Sequence, residues 1–224
     1  MKLIEEAFRG RLYVFKDRFH AGRLLAEKLK RYERSDAYVL AIPAGGVPVG
    51  RVISKSLGLP LDVIVVRKIH IPWNQEVGFG AVTFDGIIVF NTSLFQMLGL
   101  SKEEVDQCIK VEIEAIERRL RLIRGDRPFP DIANRTAVLV DDGIASGYTM
   151  LSAVKSIEKR RPKKIVVAVP TGSESAIRLL EPWVDEIVCL NVRTGPIFAV
   201  ADAYEFWHDL TEEDAIKILG YGQL

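Results

Sequence analysis

Residues Val138 to Met150 read VLVDDGIASGYTM. An apolar run delivers two adjacent carboxylates, Asp141 and Asp142, into a loop of Gly143, Ala145, Ser146, Gly147 and Thr149, and a helical segment follows at once. In an open α/β sheet the carboxyl end of a strand faces the ligand crevice, so this loop is placed to bind something. Small residues let successive backbone N–H groups approach a phosphate, the helix N-terminus adds positive partial charge, and Ser146 and Thr149 supply hydroxyl donors. The two carboxylates need donors or a metal as partners. Neighbouring sugar hydroxyls and Mg²⁺ both meet that need, so a sugar phosphate fits strand, acids and loop together.

Other readings of this stretch are weaker. The chain has no GxxxxGK[ST], so the acid pair is not the partner of a Walker A loop. Gly78 to Thr83, GFGAVT, has two glycines of a dinucleotide fingerprint but lacks the third and precedes a strand. The bland alternative is that an aspartate merely caps the following helix. One could; two in a row before four small or hydroxyl-bearing residues argue for more.

Outward from this loop, short β-branched runs alternate with helix-period segments, the pattern of a doubly wound, mostly parallel α/β sheet covered by helices on both faces. Five strands are expected, at Tyr38 to Ile42, Leu61 to Arg67, Thr136 to Asp142, Lys164 to Pro170 and Glu186 to Leu190. Each is nearly continuously apolar, as burial on both faces requires. Ala21, Leu24, Leu25, Lys28 and Tyr32 mark one helix, and Val49, Val52, Ile53 and Leu57 mark another that stops at Gly58. Ala81 to Phe84 and Ile87 to Phe90 flank Asp85-Gly86, a hairpin signal.

From Ser101 to Arg124 runs a long amphipathic helix. Ser101 and Glu104 make a capping box, and Val105, Ile109, Ile113, Ile116, Leu120 and Ile123 follow at spacings of three and four. Glu114 with Arg118 and Glu117 with Arg121 are read as pairs on a solvated face. The connection from Gly125 to Arg135 has two prolines and no periodicity, and reads as a loop. From Asn191 onward the strand–helix rhythm ends, and Phe198, Phe206 and Trp207 suggest a small cap on the sheet's edge.

The whole chain, 224 residues with 31 basic and 30 acidic side chains, carries a formal net charge of +1. That balance gives no bulk field for nucleic acid or a membrane surface, and any charge-driven function must be local. Cys108 and Cys189 stand far apart with no CxxC pair, which supports neither a zinc site nor a disulfide scaffold and fits a reducing cytosol. No run approaches the roughly 18 apolar residues of a membrane span, and the start MKLIEEAFRG is unlike a signal peptide. A soluble, cytoplasmic chain is expected.

Val138 to Met150 resembles the phosphoribosyl pyrophosphate signature of type I phosphoribosyltransferases, an apolar strand, two acids and a small-residue loop ending in Gly-x-Thr. The resemblance covers most of the chain from about Phe15 and is nearest to the uncharacterised predicted phosphoribosyltransferases. It implies one phosphoribosyltransferase-like domain, with a core at about 15–190 and a hood at about 191–224. The implied reaction is Mg²⁺-dependent transfer from phosphoribosyl pyrophosphate (PRPP) to a nucleobase or amine, with pyrophosphate released. The resemblance also implies a homodimer, the habit of that family.

By the same resemblance, Asp141 and Asp142 hold the ribose and act catalytically. Gly143, Ala145, Ser146, Gly147, Tyr148 and Thr149 bind the 5′-phosphate. Pro43-Ala44-Gly45-Gly46 resembles the pyrophosphate loop, often beside a strained peptide bond; since Ala44 stands where relatives carry Arg or Lys, Arg67 and Lys68 become the expected cations, with Lys68 in the catalytic set. Ile69 to Gly80, carrying His70, Trp73 and Glu76, resembles the mobile loop that closes over substrate, and His70 is left outside the catalytic set. Phe198 would stack on the base and Asp202 would sit near the metal, as in hypoxanthine-guanine enzymes. Those enzymes, however, carry an aspartate where Ala145 stands and a lysine near Pro170 or Thr171, so a 6-oxopurine acceptor is not supported. A ligand-sensing regulator on the same fold is the alternative function. Its mark would be a concentrated basic face, and the Arg118, Arg119, Arg121 and Arg124 cluster is diluted by acids at 112, 114 and 117.

Overall fold

The computed structural model of the chain describes residues 2–195 and 198–220, excepting the side chains of Gln75 and Glu76. In chain order the elements are β1 (Lys2–Ile4), α1 (Arg18–Lys28), β2 (Tyr38–Ala41), α2 (Gly46–Leu57), β3 (Leu61–Val63), β4 (Val66–Ile71), β5 (Asn74–Thr83), β6 (Ile88–Phe90), α3 (Thr92–Leu98) and α4 (Lys102–Arg124). Then come β7 (Thr136–Val140), α5 (Tyr148–Glu158), β8 (Lys164–Ser173), α6 (Glu174–Leu180), β9 (Glu186–Arg193) and α7 (Glu212–Leu219).

Six strands form a parallel sheet in the order β1-β9-β8-β7-β2-β3. Their apolar runs are continuous because both faces are covered. In β7, Ala137 and Leu139 pack into a cluster with Met150, Val154 and Ile157 of α5, while Val138 and Val140 pack into another with Leu25 of α1 and Ile53 of α2. The doubly wound architecture expected from the sequence is present, with a sixth strand. β1 is only three residues, KLI, and takes its place on the edge by pairing Lys2 with Ile187 of β9. A run that short leaves no pattern to read.

The expected strand from Leu61 to Arg67 is two strands. β3 ends at Val63 in the main sheet, and β4 starts a second, antiparallel sheet in the order β4-β5-β6. Val63, Ile64, Val65 and Val66 are all buried, so composition does not mark the point where the chain changes sheets. The segment expected to be a mobile loop, Ile69 to Gly80, is hairpin for most of its length, with β4 and β5 joined at Pro72-Trp73 and a register shift on either side of His70. The Asp85-Gly86 turn joins β5 to β6 as expected, with Gly86 at φ +80°.

α4 has the capping box read from the sequence: Ser101 Oγ accepts from the Glu104 amide at 3.2 Å, and Glu104 accepts from the Ser101 amide at 2.8 Å. Its apolar stripe, led by the buried Val105, Ile116 and Ile123, covers a third cluster with Val63, Phe79 and Leu219. The tail expected as a small cap packs, in its described residues, against α1 and α4. It doubles back along the approach to α1, where Phe15 donates to the Ala203 carbonyl and Glu205 donates to Phe15, and α7 buries Ala215 and Leu219 near α4. Among the described residues, no helix is long and apolar enough to cross a membrane.

Candidate active site

The strand order fixes where a ligand can sit. From β2 the chain builds outward to β3, passes through the hairpin sheet and α4, and re-enters at β7 beside β2 before building the other way. Adjacent loops at such a reversal part from each other and leave a crevice at the strands' carboxyl ends. The loops concerned are Pro43 to Gly46 after β2 and Asp141 to Gly147 after β7. Between them lies a crevice of about 570 Å³, which is also lined by Arg18, Lys68, His70, Arg119, Trp207 and Asp209.

The first wall is main chain. The bond between Pro43 and Ala44 is cis. A side chain at Gly45 would put its Cβ 2.5 Å from Asp142 Cγ, so only glycine lets this loop approach the acids. The Gly46 amide is spent on the Ile42 carbonyl at 3.0 Å, which leaves the Ala44 and Gly45 amides for a ligand and removes one of the donors expected there. In the other loop, Ile144 is tied to β8 by exchanging hydrogen bonds with Thr171 and Ser173, and Ser173 Oγ donates to the Ala145 carbonyl at 2.6 Å. Gly147, at φ +88°, is the N-cap of α5 and makes no side-chain cap. Neither aspartate therefore caps the helix. Among the described residues, the backbone N–H groups of Ala145 to Thr149 have no acceptor, an open nest at a helix start that suits an anion.

The acids stand where the two loops meet. Arg18 Nε reaches Asp142 Oδ2 at 2.8 Å, with side chains 7% and 13% exposed, and Arg18 Nη1 donates to the His208 carbonyl. The same guanidinium lies 3.7 Å above the Trp207 ring. Tyr204 donates its hydroxyl to the Asp142 carbonyl at 2.6 Å, and burial keeps that phenol well above its ordinary pKa and hence a donor. Asp141 accepts from the Asp142 amide at 2.8 Å. Burial, and then the neighbouring Asp142 charge, push its carboxyl well above the usual range. Asp142 is also raised by burial, against the pull of Arg18. Among the described residues Arg18 is thus the cation paired with the acids, and it pairs with Asp142 rather than Asp141.

The opposite wall is built of side chains. Arg67, Lys68 and His70 come from β4, and Arg119 comes from α4 with Nη1 on the Pro43 carbonyl at 3.2 Å and Nε on Glu212 of α7 at 2.7 Å. Arg67, expected with Lys68 as a cation for pyrophosphate, lines the crevice with its Nε on the buried Glu112 at 2.5 Å. Lys68 is exposed at the crevice as expected.

Among the expected site residues, Asp141, Asp142, Gly143, Ala145, Ser146, Gly147, Thr149, Ala44, Gly45, Arg67 and Lys68 line the one crevice, with Gly46 and Tyr148 next in chain. Phe198 and Asp202 are not among its lining residues. Arg193 holds both, with its guanidinium 5.0 Å from the Phe198 ring and 3.2 Å from Asp202, so the aromatic and acid of the tail that reach the crevice are Trp207 and Asp209. Sequence reasoning leaves Arg18, Arg119, His70 and Glu112 outside the site. The clue for Glu112 and Arg119 is that they lie seven apart beside the apolar stripe of α4, and so share a face turned partly inward.

A family model described as phosphoribosyl transferase domain matches residues 16–200. A Mycobacterium tuberculosis protein provisionally named a phosphoribosyl transferase is 34% identical over 206 residues, covering 92% of this chain and 46% of that protein. The chain therefore spans about half the length of the curated relatives it matches first. A ribose-phosphate pyrophosphokinase of Pyrococcus furiosus is 24% identical over 197 residues, 76% of this chain and 66% of the relative. Among solved structures, the protein TT1426 from Thermus thermophilus superposes with a TM-score of 0.74 at 34% identity, covering 92% of this chain and 97% of that one.

Proposed function

The chain belongs to the phosphoribosyl transferase domain family, and from that premise we propose that it transfers the phosphoribosyl group of PRPP to a nitrogen acceptor and releases pyrophosphate. The observation that carries this reading is the acid pair set between two loops of unspent amides in one crevice. The open N–H groups of Ala145 to Thr149 suit the 5′-phosphate, and binding energy gathered there orients the reacting carbon. Asp141 and Asp142 suit the ribose hydroxyls, with Arg18 fixing the second acid in place. As the C1–O bond lengthens, positive charge grows on the sugar ring, and the two carboxylates lie on the side where it forms. On the departing side, the Ala44 and Gly45 amides, Lys68 and Arg119 offer donors and positive charge.

Mg²⁺ fits this donor set. Among the described residues no three acidic, His or Cys side chains converge on one point, but Mg²⁺ is commonly held by one or two carboxylates together with substrate oxygens. Asp141, half-buried and desolvated beside a like charge, is the group that a cation would relieve. Bound there, the ion would neutralise charge on the phosphates. The two free thiols, Cys108 and Cys189, accord with a cytoplasmic setting.

The deciding experiment is a pyrophosphate-release assay with PRPP and Mg²⁺ over adenine, xanthine, uracil and ammonia, run on wild type and on Asp141→Asn/Asp142→Asn. Release with at least one acceptor, reduced roughly 10³-fold in the double variant, is expected. Undiminished release by the variant, or none by the wild type, sinks the reading.

A further inference from the structure

Beside the crevice lies a second chamber of about 610 Å³ under α4, and the two share Arg67 and His70 as a common wall. Behind this wall stands Glu112, 5% exposed. Arg67 Nε meets one of its oxygens at 2.5 Å, and His70 Nδ1 lies 2.8 Å from the other. A carboxylate so buried needs a counterion, and the Arg67 guanidinium supplies one full positive charge. An ionised carboxylate only accepts, so Nδ1 carries the hydrogen, and Nε2 is the ring nitrogen left to take up a proton. His70 sits at the register shift in β4 and lines the crevice.

We propose that His70 is the base that takes the acceptor's proton, with Glu112 as its positioning residue; this rests on the phosphoribosyl-transfer reading above. The bond from C1 to the pyrophosphate oxygen breaks, and its electron pair leaves with pyrophosphate. The acceptor nitrogen forms the C1–N bond with its lone pair, and its proton passes to Nε2. The imidazolium that results keeps its Nδ1–H on Glu112, whose negative charge stabilises it, and later gives the proton to solvent. The acceptor implied is a heterocycle whose ring N–H is still protonated in the assay.

The test compares wild type, His70→Ala, His70→Gln and Glu112→Gln with PRPP, Mg²⁺, and adenine, uracil or xanthine as acceptor. Loss of His70 is expected to lower kcat about 10²-fold with KM for PRPP changed less than about threefold, since in this reading the phosphates are held by the Ala145 to Thr149 amides, the Ala44 and Gly45 amides, Lys68 and Arg119 and not by His70. The loss should be smallest for xanthine, the most acidic of the three acceptors, and imidazole added to the buffer should restore part of the rate to His70→Ala. Glu112→Gln should lower kcat by about tenfold, again with KM for PRPP held, provided its melting temperature shows it folded; should it not fold, the His70 variants decide alone. Unchanged kcat in both His70 variants overturns the proposal. So does an equal loss for every acceptor without rescue by imidazole, because that marks a structural role. A wild type that releases no pyrophosphate with any acceptor overturns the transfer reading itself, and is told apart from the first outcomes by the wild-type rate alone.

Discussion

The two walls of the crevice are made differently. One is main chain: Pro43 to Gly46 and Asp141 to Gly147 are short contiguous loops, and they face each other because β2 and β7 pair directly, Ala41 opposite Val140. The other is long side chains from β4 and α4, brought together across 42 residues in the Glu112–His70 pair and held by ion pairs. A wall of amides demands glycine and small residues at fixed places, and so leaves a local signature. A wall of charged side chains can be assembled from residues that each look like solvated surface, and it leaves none.

Four measurements would break or sharpen this contrast. The largest effect is expected where a side chain supports the main-chain wall. Arg18→Ala strands the buried Asp142 carboxylate and should cost about 3–5 kcal/mol of stability by denaturant unfolding, whereas adding Asp142→Asn to it should recover most of that loss. An undiminished stability in Arg18→Ala would show that water already serves Asp142. Next, Gly45→Ala forces Asp142 away from its place and should lower turnover roughly 10²-fold while α2 and the sheet stay intact by circular dichroism. A near-normal rate would mean the two loops can separate without harm.

The side-chain wall should be more forgiving. Arg119→Ala is expected to raise KM for PRPP about tenfold, or ~1.4 kcal/mol, with Glu212→Gln showing a smaller change in the same direction; an effect confined to kcat would place Arg119 elsewhere in the reaction. The smallest effect has the opposite sign. Asp141 is a half-buried acid whose desolvation lifts its folded pKa above the ordinary value near 3.8, so the folded state holds its proton more tightly than the unfolded chain does. Its contribution to stability is therefore greatest at low pH, declines as pH rises above about 3.8, and is lowest once the raised folded value is passed. Asp141→Asn should accordingly stabilise the ligand-free protein at neutral pH by about 1 kcal/mol, which at this size is ~2–4 °C in Tm, and should flatten that slope in a pH series of thermal melts.

The same contrast explains what could be read in the sequence. The apolar runs of β2, β7, β8 and β9 and the capping box of α4 are local patterns, and each lies where its pattern indicates. The acid pair and its small-residue loop are equally local, and the chain puts them at the reversal of strand order. Arg18 is hidden because a single arginine at a helix start carries no pattern; it meets Asp142 across 124 residues. Phe198 and Asp202 have the chemistry expected of the hood, but the direction of a side chain in an irregular tail depends on packing, here on Arg193, which draws both to itself. Glu112 counts as dilution in a charge run because its neighbours 114 and 117 are exposed; burial is what separates it from them.

The edge strand β1 sets an order of assembly. Lys2 pairs with Ile187, so of the six strands of this sheet the first in chain order is the last to find its neighbour, which is made some 185 residues later. β2, β3 and β7 can pair while β1 is still free, so the β2–β7 pairing that sets the two loops side by side can form in a nascent chain before its sheet is complete, ahead of the contacts from β8 and the tail that finish the crevice. Of the two outer edges, both three residues long, β1 is the less buried and so the more easily released, and it lies away from the β2–β7 pairing.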